Sequence, residues 1–145
     1  MRTDILLVED DLNDVLLIKR AFKKSNIANP LYVVNDGQTA IDYLLGEGEY
    51  NNRKMYPLPV LILLDLKLPK KSGFEVLDII KNSTELKKIP VVVLTSSNQK
   101  KDVDLAYTKG VNSYLLKPVE FEQLSELVKT LNMYWLILNE LPNKV

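Results

Sequence analysis

The sequence predicts an α/β domain built on a doubly wound parallel sheet, with five strands alternating with five helices. Short apolar runs recur along the chain, and segments with apolar residues at helical spacing lie between them. Near-continuous apolar strands joined by helical crossovers are typical of a parallel sheet covered by helices on both faces. A length of 145 residues suits one domain with its own hydrophobic core, so we expect a single domain over residues 1–145.

Each predicted strand is an apolar run bounded by charged or turn-forming residues. Pro90 precedes the fourth run, which ends on Thr95 and Ser96. In chain order, the predicted strands are residues 5–8, 31–34, 60–64, 91–94 and 112–116.

The helices are predicted from apolar residues that recur three and four positions apart. Asp11 is the expected cap of the first helix, and Gly110 ends the fourth. In order, the helices follow Asp11, surround residues 40–45, and cover residues 73–82, 100–109 and 120–139. The polar stretch at residues 47–59 is predicted to be irregular.

Polar residues follow four of the strands at their carboxyl ends. In parallel α/β sheets these ends share one edge, where ligands bind, although side-chain alternation leaves open which neighbours point into a site. The residues concerned are Glu9 and Asp10 after the first strand, Asp65 after the third, Thr95 and Ser96 on the fourth, and Lys117 after the fifth.

This set of side chains suits phosphoryl chemistry on a hard cation. Clustered carboxylates repel one another and so hold a proton or a cation, and oxygen-only ligands suit Mg²⁺. Thr95 and Lys117 offer donors for phosphate oxygens, and Asp65 can act as a nucleophile that forms an aspartyl phosphate. Because burying a carboxylate is costly, we expect Asp65 to lie at the open rim of the sheet.

Composition excludes several other classes of protein. The chain has no histidine and no cysteine, which removes imidazole bases, thiol nucleophiles and their metal sites. Lys+Arg and Asp+Glu are equal at 19 each, so phosphate-driven nucleic-acid binding is not indicated. The apolar runs are too short to span a membrane, and early acidic residues do not fit a signal peptide, which favours the cytoplasm. No P-loop motif is present.

Four motifs occur in order along the chain: "LLVEDD", "LILLDLKLPKKSGFEVL", "VVVLTSS" and "YLLKP". Together they resemble the receiver domains of two-component response regulators over about residues 3–138. The resemblance implies a flavodoxin-like (βα)5 fold with strand order 2-1-3-4-5.

The resemblance also implies a role for each site residue. Asp65 would be the phospho-acceptor, with Glu9, Asp10, Asp65 and the main-chain carbonyl of Lys67 holding Mg²⁺ or Mn²⁺. Thr95 and Lys117 would bind the phosphoryl group, and Tyr114 would be the aromatic residue that moves in the switch. Lys117-Pro118 would be a cis peptide.

The last predicted helix carries one apolar seam, and one stripe suffices to cover a sheet. Four further apolar residues widen it: Leu127, Tyr134, Ile137 and Leu141. The excess indicates a partner surface, most simply on a second copy, with packing onto its own domain as the alternative. The seam consists of Phe121, Leu124, Val128, Leu131, Trp135 and Leu138.

The expected function is that of a stand-alone response regulator rather than a turnover enzyme. Its partners would be a sensor histidine kinase and a downstream protein, and resemblance to regulators associated with phytochromes makes a phytochrome the candidate kinase. The alternatives are a scaffold that is never phosphorylated and a Mg²⁺-dependent phosphohydrolase. Lys67 argues against the latter, since such enzymes place a second acid two residues after the nucleophile.

Overall fold

Five parallel strands form the predicted sheet in a computed structural model that describes residues 3–130. The strands are β1 (Ile5–Val8), β2 (Leu31–Val34), β3 (Leu61–Leu64), β4 (Val91–Thr95) and β5 (Ser113–Leu116). Their order in the sheet is β2-β1-β3-β4-β5, as the resemblance implies. The third and fifth strands begin one residue later than predicted.

The apolar runs become strands because the sheet centre is covered on both faces. Every residue of β1, β3 and β4 is buried, whereas β2 and β5, at the two edges, are mostly half-buried. Val8 pairs with both Val34 and Leu64, so the three neighbouring strands end level with one another. The residues that follow them therefore emerge side by side.

Helices cover both faces of the sheet. The helices are α1 (Leu12–Lys24), α2 (Gly37–Leu45), α3 (Gly73–Lys81), α4 (Lys100–Thr108) and α5, described as Phe121–Thr130. Helices α1 and α5 pack on one face, and α2, α3 and α4 pack on the other. None of the helices within the described residues could cross a membrane, since each is too short or too polar.

Two helices begin at side-chain caps close to the carboxyl ends of the strands. The Asp11 side chain accepts hydrogen bonds from the amides of Asn13 (2.8 Å) and Asp14 (3.2 Å), which confirms the predicted cap. Ser72 and Glu75 form a capping box at the start of α3. Both caps fix the helix starts beside the residues that follow β1 and β3.

The polar segment at residues 47–59 holds no strand and no α-helix, which confirms the prediction that it is irregular. It contains a 3-10 turn, Gly48–Tyr50, and Arg53 donates hydrogen bonds to the last carbonyls of α2 on Tyr43 and Leu44, both at 2.7 Å. Four tyrosine rings pack together in tilted and edge-to-face pairs, with centroids 4.9 to 6.4 Å apart: Tyr32, Tyr43, Tyr50 and Tyr56.

The described part of the α5 seam corrects one expectation about the partner surface. Leu124 is 1% exposed and packs against α1 and the sheet, so it belongs to the core of its own domain. Phe121, by contrast, is 42% exposed. The Val128 side chain and Leu131, Trp135 and Leu138 lie outside the described residues.

Candidate functional site

The carboxyl ends of the strands bring four charged residues together. Glu9 and Asp10 follow β1, Asp65 follows β3, and Lys117 follows β5. One carboxylate oxygen from each of Glu9, Asp10 and Asp65 lies within 4.8 Å of the other two. The strand-end argument therefore correctly predicts this grouping.

Lys117 is the counter-charge at this cluster. Its Nζ lies 2.6 Å from Glu9 Oε1 and 2.9 Å from Asp65 Oδ2, and its side chain is only 11% exposed. The same ammonium also donates to Asp14 Oδ2 at 2.9 Å. Three carboxylates thus share one buried cation, which offsets part of their mutual repulsion.

Asp65 is buried, contrary to the expectation that it would lie at the open rim. The residue is only 6% exposed. Its burial is tolerated because Oδ2 accepts a hydrogen bond from Lys117 and Oδ1 accepts one from the backbone amide of Lys67 at 3.2 Å. Both carboxylate oxygens therefore have a donor.

Burial also shifts the acid–base properties of the site. Desolvation raises the pKa of Glu9 from 4.5 to about 7, although contacts with Lys117 and the Asp11 amide lower it in part. Burial opposes the charge on Lys117, but its contacts with Glu9, Asp14 and Asp65 outweigh that effect and raise its pKa. The lysine is therefore a permanent cation, whereas Glu9 titrates near neutral pH.

Thr95 and Tyr114 lie on the other side of the sheet end, toward α3 and α4. Thr95 is fully buried and continues the alternation of Val91 and Val93, which pack on that face. The Tyr114 hydroxyl donates to the Ser97 carbonyl at 2.7 Å, and the Ser97 amide lies 3.5 Å from Thr95 Oγ1. Both predicted switch residues thus contact the loop that joins β4 to α4.

Two further backbone features were implied for the site. The peptide bond between Lys117 and Pro118 is cis, as implied. The Lys67 amide contacts Asp65, while its side chain is exposed. A metal-binding role for the Lys67 carbonyl stays a prediction.

Asp14 is the site residue that the sequence reasoning missed. It lies in the first turn of α1, whereas the charged residues that were predicted for the site directly follow strands. The signal was available, because a helix capped by Asp11 returns Asp14 to the face of Asp10 one turn later.

The donor set fits a hard divalent cation. Glu9 Oε1 is buried, and although it is ion-paired with Lys117 it receives no directed hydrogen bond from the described residues. Such an oxygen beside two more carboxylates is suited to Mg²⁺ or Mn²⁺, which take oxygen ligands and water. Glu9, Asp10 and Asp65 are the residues that would hold the ion.

Fold, strand-end acids and lysine together define a class of protein. The sequence matches the response regulator receiver domain family over residues 5–129, and the chain belongs to that family. The resemblance of the four sequence motifs is thereby confirmed.

Particular relatives come from archaea and bacteria. The probable methanogenesis regulatory protein FilR2 of Methanothrix harundinacea is 46% identical over 139 residues, covering 95% of this chain and 86% of FilR2. Response regulator Rcp1 of Synechocystis is 45% identical over 138 residues, covering 95% of this chain and 92% of Rcp1.

Solved structures of such relatives share the fold. The phosphorylated cyanobacterial phytochrome response regulator RcpA is 43% identical with a TM-score of 0.78, covering 98% of this chain and 99% of its own. The Mn²⁺-bound form of Rcp1 is 44% identical with a TM-score of 0.77, covering 97% and 99%.

Proposed function

We propose that this response regulator accepts a phosphoryl group on Asp65 from a partner histidine kinase, in the presence of Mg²⁺ or Mn²⁺. The observation that carries the proposal is the position of Asp65. Its carboxylate lies within 4.8 Å of two other acids and accepts a hydrogen bond from Lys117. A phosphorylated relative and a Mn²⁺-bound relative support both halves of the proposal.

Asp65 supplies the nucleophile. One of its oxygens attacks the phosphorus of a phosphohistidine, so that a P–O bond forms and the P–N bond breaks. The electron pair of the broken bond returns to the imidazole nitrogen of the donor. The 145 residues contain no histidine, so in this proposal the phosphohistidine belongs to the kinase.

Positioning and charge neutralisation are the main demands of phosphoryl transfer. A divalent cation held by Glu9, Asp10 and Asp65 would neutralise charge on the phosphoryl oxygens. Lys117 already lies at hydrogen-bond distance from Asp65 Oδ2, so its ammonium donates to a phosphoryl oxygen attached there.

Phosphorylation is read out through the loop that joins β4 to α4. The Thr95 hydroxyl donates to the phosphoryl group and draws the loop toward it. Ser97 moves with the loop, and Tyr114, whose hydroxyl is bonded to the Ser97 carbonyl, changes position. A ligand shifts a conformational equilibrium only through such differential contacts.

The output is a protein–protein interaction on the face made by α4, β5 and α5. Leu105, Tyr107 and Leu116 on this face are 41 to 49% exposed. We propose a second copy of the chain and a downstream protein as its partners, with the C-terminal helix contributing to the dimer. The similar protein RcpA is a phytochrome response regulator, which makes a phytochrome the candidate kinase for this chain.

Phosphoryl uptake tests the proposal. Wild-type protein incubated with acetyl phosphate and Mg²⁺ should gain the mass of one phosphoryl group, and Asp65→Asn should gain none. Asp78→Asn is the matched control, since Asp78 is a carboxylate of α3 paired with Lys109 away from the strand ends. Equal uptake by folded Asp65→Asn would contradict the assignment, and uptake by neither protein would favour a scaffold.

A further inference from the structure

Lys117 contacts a carboxylate that does not follow any strand. Asp14 Oδ2 lies 2.9 Å from Lys117 Nζ, the same distance that separates this nitrogen from Asp65 Oδ2. The Asp14 side chain is 27% exposed, whereas those of Glu9 and Asp65 are nearly inaccessible. Asp14 therefore approaches the ammonium from the solvent side, on α1.

The number of donors on an ammonium limits what Lys117 can contact at one time. A lysine has three N–H groups, and Lys117 has three carboxylate neighbours. Two of these N–H groups donate to Asp14 and Asp65, whereas Glu9 Oε1 receives no directed hydrogen bond, so a phosphoryl oxygen on Asp65 can accept from Lys117 while the bond to Asp14 is kept.

Asp14 differs from the other two neighbours in what else it can do. Glu9 and Asp65 belong to the three-carboxylate cluster, which among the described residues does not include Asp14. A cation at the cluster would bind Glu9 and Asp65, and a phosphoryl group would be attached to Asp65. Neither of them would bind Asp14. Asp14 is thus the carboxylate that stays with Lys117 when the site is loaded.

We propose that Asp14 is a positioning residue that holds the Lys117 ammonium beside the phosphoryl group; this rests on the function proposed above. Asp14 is suited to the role because the backbone of the first turn of α1 is fixed by the Asp11 cap. Asp11 Oδ1 accepts a hydrogen bond from the backbone amide of Asp14 at 3.2 Å. The positive end of the helix also favours a charged carboxylate there. The contact joins α1 to the segment after β5.

Binding of beryllofluoride, an anionic mimic of the phosphoryl group, measures this positioning directly. With saturating Mg²⁺, Asp14→Asn should weaken beryllofluoride affinity by about five- to tenfold, the loss expected for one charge-assisted contact. Asp14→Glu should recover most of the loss.

The matched control is Asp11→Asn. It removes one negative charge from the same helix terminus and retains a good N-cap. Its beryllofluoride affinity should stay within about twofold of wild type, because the Asp11 side chain accepts from the amides of Asn13 and Asp14 and, among the described residues, not from Lys117. An equal loss in Asp11→Asn would overturn the proposal, since it would show a general field effect.

A double-mutant cycle separates positioning from a merely structural role. In a Lys117→Gln background, Asp14→Asn should produce no further loss of affinity, because the contact is already gone. Additive losses would contradict the proposal. The ¹⁵Nζ resonance of the Lys117 ammonium gives an independent readout, and it should shift in Asp14→Asn but not in Asp11→Asn.

The outcomes distinguish this inference from the function on which it rests. Failure of wild-type protein to bind beryllofluoride with Mg²⁺ would count against phosphoryl acceptance itself. Wild-type binding that Asp14→Asn leaves unchanged would leave phosphoryl acceptance intact and overturn only the role of Asp14.

Discussion

At the scale of single residues, the site depends on one ammonium among several carboxylates. Lys117 contacts Glu9, Asp14 and Asp65, and two of these acids are almost fully buried. Removing one partner of a buried ion pair leaves uncompensated charge, which costs more than the pair itself contributes. The lysine therefore stabilises the cation-free fold besides its proposed role in phosphoryl transfer.

The variant Lys117→Met tests this dual role. At pH 8, where the acids are ionised, it should lower the free energy of unfolding of the cation-free protein by about 3 kcal/mol in urea titrations. Added Mg²⁺ should restore part of the loss by binding the folded state. Lys100→Met, which removes an exposed lysine paired with Asp104, should change little. An equal loss in both variants would contradict the account.

Glu9 makes cation binding dependent on pH. Its pKa is raised to about 7 by burial, so the folded protein holds a proton that the unfolded chain releases at lower pH. That contribution to stability is present below pH 4.5 and is lost as pH rises through 7. A cation needs the ionised carboxylate, so Mg²⁺ affinity should rise with pH over the same range.

Calorimetry in two buffers of different ionisation enthalpy counts the protons involved. At pH 6.5, Mg²⁺ binding should release about 0.8 proton, as expected for a single group with a pKa near 7. At pH 8.5 the release should fall toward zero. Equal release at both pH values would show that Glu9 is not the titrating group.

The acids and the lysine predicted from the sequence directly follow strands. Glu9, Asp10, Asp65 and Lys117 each come after an apolar run, and the parallel sheet forces such residues to one edge. Asp14 was missed because it lies one turn into α1 rather than directly after a strand, so only its helical spacing from Asp10 indicates it. The burial of Asp65 was not predicted because it depends on a hydrogen bond from Lys117, which is 52 positions away in the chain.

At the scale of elements, the connection from β3 to α3 is unusually tight. The Gly73 amide donates to the Leu66 carbonyl at 2.8 Å. A Cβ at Gly73 would lie 2.4 Å from the Asp65 carbonyl oxygen and 2.6 Å from Leu66 Cα. Glycine thus lets α3 start directly against the backbone that carries Asp65, the proposed phospho-acceptor.

Gly73→Ala should therefore disturb both fold and site. We expect a loss of about 2 kcal/mol in the free energy of unfolding, from a clash with backbone that has no room to yield. Phosphoryl uptake should slow as Asp65 is displaced. Gly48→Asn is the comparison, because a Cβ there meets nothing within 4 Å and asparagine tolerates its φ of +59°. Wild-type stability and uptake in Gly73→Ala would contradict this reading.

The segment at residues 47–59 is irregular, as its polar composition predicts, but the contacts that hold it in place could not be predicted. They are made by tyrosine rings packed together and by Arg53 bonded to the end of α2. Two of the four rings lie outside the segment, on β2 and α2. Contacts of that kind leave no local periodicity to detect.

At the scale of the whole molecule, the alternation of strands and helices follows from the apolar pattern alone. The strand order 2-1-3-4-5 does not follow from that pattern, because many strand orders satisfy it. The order is implied only by the resemblance of the motifs to the family. The prediction that the α5 seam forms a partner surface is wrong for Leu124, which covers the sheet of its own domain. Phe121, at the start of the same helix, is exposed and so remains a candidate contact for a partner.

Light scattering tests the proposed association. Beryllofluoride with Mg²⁺ should shift the average mass toward that of two chains, because the loaded state alters the face of α4, β5 and α5. Phe121→Ser should weaken the shift, while Leu45→Ser, at a similarly exposed leucine on α2, should not. A mass that responds to neither the mimic nor Phe121→Ser would exclude this dimer.

The identity of the phosphorylated residue tests the central claim most directly. Protein treated with acetyl phosphate and Mg²⁺ is reduced with borohydride, which converts an aspartyl phosphate to homoserine, and its peptides are sequenced by mass spectrometry. The account predicts homoserine at position 65 in the wild-type protein. Phosphoryl uptake with an unchanged aspartate at position 65, or with the label on Thr95 or Ser96, would contradict it.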